Sequence, residues 1–107
     1  MDATRIRELN DVFRNTFTGG QVMLTSGVSD LPPKSQLAVI DSVKSFATFT
    51  KDNDPNGEHD FGSITVEDEK FFWKIDYYDA SREYGSLDPS DPTVTTRVLT
   101  IMLADKY

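Results

Sequence analysis

Apolar residues recur at helical spacing near the start of the chain. Ile6, Leu9, Phe13 and Phe17, with Val12 beside them, form one stripe, and Arg5, Arg7, Glu8, Asp11 and Arg14 take the polar side. The spacing predicts an amphipathic helix over 4–17. Asp2 or Thr4 is a candidate cap, and Gly19 with Gly20 is the expected stop. Residues 21–28, rich in Val, Met, Leu and Thr, read as a first strand. Pro33, a residue tolerated at the first helical position, opens a second helix over 33–47. Its expected buried face is Leu37, Ile40, Val43, Phe46 and Ala47, with Val39 near the edge.

The period then changes from helical to alternating. Residues 61–67 and 70–78 predict a hairpin with Asp68 and Glu69 at its turn. Phe71, Trp73, Ile75 and Tyr77 share one face of its second strand. Lys70, Phe72, Lys74, Asp76 and Tyr78 share the other, which is expected to meet solvent or a partner. Residues 51–60 and 79–92 are loops by composition. The last segment, 92–107, has strand-like Val and Thr content. Its Asp91 and Pro92 start and the spacing of Val94, Val98, Ile101 and Met102 favour a helix. The expected fold is a single α+β domain over 1–107, in the order α-β-α-β-β-α. An antiparallel or mixed sheet carries its helices on one face.

Composition narrows the function classes. The 107 residues hold twelve aromatics, enough for a real core, and no cysteine. Disulfides, thiolate metal sites and cysteine nucleophiles are thereby excluded. Residues 1–13 lack the apolar run of a signal peptide, and the longest apolar run, 98–104, is far short of a membrane span. A cytoplasmic location without membrane contact is expected. The net charge of −7 is uneven. Residues 52–92 carry twelve acids against Lys70, Lys74 and Arg82, a local net of −9. Such a region repels phosphate backbones, so the expected partner is a basic protein surface and not nucleic acid itself.

The candidate chemistry gathers in DNDPNGEHDFG, residues 52–62. Asp52, Asp54, Asn56 and Gly57 match the front half of a calcium loop, with Glu58 as a further oxygen donor. The twelfth position is Ser63, where a bidentate Glu belongs, so the set is a weak metal candidate. His59 lies between Glu58 and Asp60, but sequence neighbours on an extended chain point to opposite sides. No nucleophile elbow or phosphate loop accompanies it, and no cofactor is called for. The competing reading is a turn whose side chains cap its own backbone. A second constellation interleaves acids and tyrosines: Asp76, Tyr78, Asp79, Glu83 and Tyr84. With Asp52, Asp54, Glu58 and Asp60 it outlines a docking surface whose spaced carboxylates can imitate DNA phosphates. The alternative is a small metal-binding or hydrolytic domain built on the 52–60 loop.

The stretches Asn53-Asp54-Pro55, Gly57-Glu58-His59-Asp60-Phe61-Gly62 and Phe72-Trp73-Lys74-Ile75-Asp76-Tyr77-Tyr78-Asp79 carry a resemblance. Gly85-Ser86, Asp88-Pro89, Asp91-Pro92 and the run from Thr96 to Ala104 extend it over nearly the whole chain. The chain resembles a family of small uncharacterised proteobacterial proteins, often carried on plasmids and other mobile elements. The resemblance brings no catalytic residues. It implies a bacterial setting and a role in conflict between mobile DNA and host defence, such as inhibition of a CRISPR or restriction complex.

Overall fold

In the computed structural model, which describes residues 2–106, four strands form one mixed sheet in the order β1-β4-β3-β2. Helix α1 spans Ala3–Thr16, β1 Gln21–Leu24, a short α2 Ser26–Ser29 and α3 Pro33–Lys44. Strands β2 (Phe61–Val66), β3 (Glu69–Tyr78) and β4 (Thr96–Leu103) follow, and a 3-10 turn, Ala104–Lys106, closes the described chain. The α+β class and the helices on one face stand. The order is corrected in two places: the first strand, expected over 21–28, stops at Leu24 and gives way to α2, and the end is a strand in place of a helix.

Strand β4 is central. It pairs parallel to β1 and antiparallel to β3. A strand covered by neighbours on both sides reads as a continuous apolar run, and such a run also satisfies helical spacing. Leu99 and Ile101 join the core on one face, while Val98 and Met102 lie on the other. Asp91 does not cap a helix. Its Oδ1 accepts from the Thr93 N–H at 2.9 Å and the Thr93 hydroxyl at 2.6 Å, closing a turn ahead of the strand. Tyr107, the end of the expected helix, lies outside the described residues.

Helix α1 is capped by Asp2, whose carboxylate accepts from Thr4 N at 3.0 Å and Arg5 N at 3.2 Å. It stops earlier than the glycines: Phe17 takes the left-handed conformation (φ 60°) and bonds back to the Phe13 carbonyl. One expected solvent position is also corrected, since Arg14 is buried. Asn10, not assigned to a side by the sequence, is buried beside Ile6 and Phe13. Helix α3 begins at Pro33 as expected but ends at Lys44, so Phe46 and Ala47 lie beyond it. Val43 is buried as expected and Val39, expected near the edge, is buried with it, whereas Leu37 and Ala47 are exposed.

The hairpin turn sits one residue earlier than expected. Glu67 (φ 53°) and Asp68 (φ 65°) are both left-handed, and Val66 pairs with Glu69. Two central residues with positive φ give the turn whose twist matches the flanking strands. Phe13, Val28, Val39 and Val43 pack on Ile64, Phe71, Trp73, Ile75, Leu99 and Ile101. This core lies between the helices and one face of the sheet. The other face carries no helix among the described residues.

Candidate functional site

Residues 48–60 fold onto α1 as a self-bonded loop. Asn53 Oδ1 accepts from Thr50 N at 2.8 Å, and its Nδ2 donates to the Thr48 carbonyl at 2.9 Å. Asp54 Oδ1 accepts from His59 N at 3.1 Å. Gly57 is left-handed (φ 69°), and its carbonyl accepts from Arg7 Nη1 at 3.1 Å. Asn10 Nδ2 donates to the Glu58 carbonyl at 2.9 Å. One turn after another of α1 thus satisfies the loop's backbone.

His59 is also left-handed (φ 56°). Its ring stacks on Phe49, centroids 3.7 Å apart and planes 4° from parallel. Nδ1 lies 2.9 Å from Asp11 Oδ1, and Nε2 lies 3.5 Å from Asp54 Oδ2. Its carboxylate neighbours are therefore not Glu58 and Asp60. Asp11 in turn pairs with Arg14 Nη1 at 3.1 Å. The Arg14 guanidinium lies over the Phe49 and Trp73 rings, 5.2 Å from each, and Nη2 donates to the Phe46 carbonyl. Both ring nitrogens of His59 thus face carboxylates, and no hydroxyl nucleophile adjoins it among the interactions of the described residues. The geometry suits a latch between loop and helix.

A second polar chain starts at Asn10, one turn before Arg14 on the buried stripe of α1. Asn10 Oδ1 accepts from Arg97 Nε at 2.8 Å, and Asn10 Nδ2 donates to the Tyr77 hydroxyl at 2.8 Å. That hydroxyl donates to Glu58 Oε1 at 2.9 Å. Burial pushes the Tyr77 hydroxyl far above its usual pKa. Burial, and after it the Glu58 charge, raises the Asp60 carboxyl above its ordinary value.

The proposed docking residues therefore divide. Asp54 and Glu58 turn inward, to His59 and Tyr77, while Asp52 is exposed. Asp60 is half-buried near Asp76, so loop and strand end do approach each other. The four weak metal candidates do not converge, and among the described residues no three His, Asp or Glu side chains are grouped to hold a metal ion. At the strand end, Asp79 accepts from the Ser81 hydroxyl at 2.7 Å, and that bond holds its pKa below the usual value. Asp79 N donates to the Tyr84 carbonyl, closing a small loop that exposes Glu83 and Tyr84. Asp76 pairs with Lys74 at 3.1 Å.

Asp76 and Tyr78 belong to a larger feature. The uncovered sheet face holds a shallow depression of about 730 Å³, lined by Gln21, Met23, Lys74, Asp76, Tyr78, Arg82, Val98, Thr100 and Met102. Sequence reasoning placed Tyr78 and Asp76 on this face but missed Val98 and Met102, because β4 was read as a helix, and did not assign Met23 of β1 to a face. Asn10 and Arg14 were missed because polar residue types masked their position. They stand four and eight residues after Ile6, on the buried stripe.

Residues 24–106 match the model of a protein family of unknown function, DUF3768. The chain belongs to the DUF3768 family. No curated protein and no solved structure matches it significantly. The DUF3768 match begins at the last residue of β1, so it spans β2, β3 and β4, the 48–60 loop and the acidic strand end, and leaves α1 and most of β1 outside. No helix of the described residues is long and apolar enough to cross a membrane.

Proposed function

We propose that this DUF3768 protein is a non-enzymatic binding module that docks on the basic surface of a nucleic-acid-binding protein. The observation that carries the reading is the uncovered sheet face: exposed Met23 on β1 lines the same depression as Tyr78 and Asp76 on β3, with Asp79, Glu83 and Tyr84 along one end. Apolar area flanked by charge and exposed tyrosine is the composition of a recognition surface. Asp76, Tyr78, Asp79, Glu83 and Tyr84 are its contact residues, with Asp52 and Asp60 at the adjoining loop. Asp54 and Glu58 support that loop from inside. The local charge of −9 in residues 52–92 steers it toward a cationic site. In the most concrete form of the proposal, a protein of proteobacterial mobile elements acts in the cytoplasm and blocks the DNA-binding site of a host CRISPR or restriction complex. The sequence resemblance and the acidic region support that form.

Capture from a bacterial lysate, with mass spectrometry of what is retained, tests this. A nucleic-acid-binding protein should be held, and its release should steepen as salt shortens the Debye length from ~10 Å at 0.1 M toward ~3 Å at 1 M. Reversing Asp76, Asp79 and Glu83 to Lys should weaken binding about tenfold or more, since each rim charge mainly changes encounter and register. A retained partner indifferent to both salt and reversal contradicts the proposal.

A further inference from the structure

Arg97 lies on the helix side of β4, only 3% exposed. Its Nε donates to Asn10 Oδ1 and its Nη2 to the Pro89 carbonyl, and its guanidinium sits over the Tyr77 ring at 5.2 Å. None of these partners is ionised. The carboxylate of Glu58 accepts from Tyr77, and no carboxylate lies within ion-pair distance of Arg97 among the described residues. Nη1 has no hydrogen-bond partner among them. A buried charge is ordinarily neutralised by a partner, because leaving water costs several kcal/mol.

Arg97 lines a cavity of about 320 Å³ between one flank of α1 and residues 92–97. Leu9, Val12, Phe13 and Pro92 supply its apolar wall, and Arg5 brings a second guanidinium. Glu8, also at the cavity, meets Arg5 at 3.9 Å where both side chains are well exposed. Arg97 thus has no direct ion pair among the described residues, and the Glu58 charge acts on it only at a distance, from behind Tyr77. Burial first, and the Arg5 charge after it, depress the Arg97 pKa. An anion in the cavity would supply the countercharge to both guanidinium groups.

We propose that this cavity binds a small carboxylic acid, with the carboxylate on Arg97 and the apolar body against Leu9, Val12 and Phe13. The volume is at the lower end of the range for small-molecule pockets, about 300–1,000 Å³. A planar carboxylate suits the guanidinium fork, whereas a dianionic phosphate calls for more donors than this apolar wall offers. The inference does not depend on the docking reading, which concerns the opposite face of the sheet.

Titration of the ¹⁵N-labelled chain with hexanoate and with 3-phenylpropionate, followed by amide shifts, tests it. Hexan-1-ol and hexylamine are the controls. At least one acid should give saturable shifts at Leu9, Val12, Gly19, Thr95 and Arg97. The alcohol should bind about tenfold more weakly, as expected when a charged hydrogen bond is lost, and the amine should not bind. Val12 and Arg5 are exposed, so Val12→Trp, which plugs the mouth, and Arg5→Ala, which removes the second charge, leave the fold intact. Each should weaken acid binding, the plug by about tenfold or more. The proposal is overturned by absence of saturable shifts with both acids, by equal binding of acid and alcohol, or by a Val12→Trp variant that binds like the parent.

Discussion

Asn10 holds three partners at once: the Arg97 guanidinium, the Tyr77 hydroxyl and the Glu58 carbonyl. Replacing it by Ala strands buried donors and acceptors on three separate elements. Asn10→Ala should lower stability by about 2–4 kcal/mol, measured by denaturant unfolding, because unpaired buried polar groups lose their full solvation. Asp60 works in the opposite sense. Its folded-state pKa is raised, so the fold disfavours its ionised form, and near neutral pH the charge opposes folding. As pH falls through the raised pKa, the folded protein takes up the proton first and that cost disappears. Asp60→Asn should therefore raise the melting temperature at pH 7, and the gain should fade in acid. A variant less stable than the parent at pH 7 would contradict this assignment.

The elements were legible wherever one face is polar. In α1 the stripe of Ile6, Phe13 and Phe17 marked the helix, and in β3 the alternation through Phe71, Trp73 and Ile75 marked both strand and core face. Strand β4 was hidden because Val98, Leu99, Ile101 and Met102 are buried on both faces, so its alternation is lost. Arg97 went with it, and with Arg97 the cavity beside α1. The self-bonded loop was legible from Asn53 and Asp54, but its helix partners Asn10 and Asp11 were not, since contacts across about 50 residues leave no local pattern. The hairpin gives a prediction of its own. Gly62 leaves no room for a side chain: a Cβ there would stand 2.3 Å from Trp73 Nε1. Gly62→Ala should cost about 1–3 kcal/mol by overpacking. At the turn, Asp68 is left-handed without being glycine, so Asp68→Gly should stabilise by up to about 1 kcal/mol in thermal unfolding.

At the scale of the molecule, the helices close one face of the sheet and leave the other open. The acids do not all serve that open face. Asp54 and Glu58 stabilise the loop, Glu67 accepts from Ser35 at the far end of the hairpin, and Asp76, Asp79 and Glu83 remain near the depression. Helix α1, outside the DUF3768 match, nonetheless supplies Ile6 and Phe13 to the core and Asn10 to the loop. Deleting residues 2–17 should abolish the cooperative unfolding transition.

Docking that displaces nucleic acid is measured directly by competition. The captured partner is loaded with fluorescent DNA, and anisotropy is followed as the protein is added. The parent chain should release the DNA, and the Asp76, Asp79 and Glu83 reversal variant should release little of it. A ternary complex that keeps its DNA, or equal release by both chains, would contradict the docking proposal.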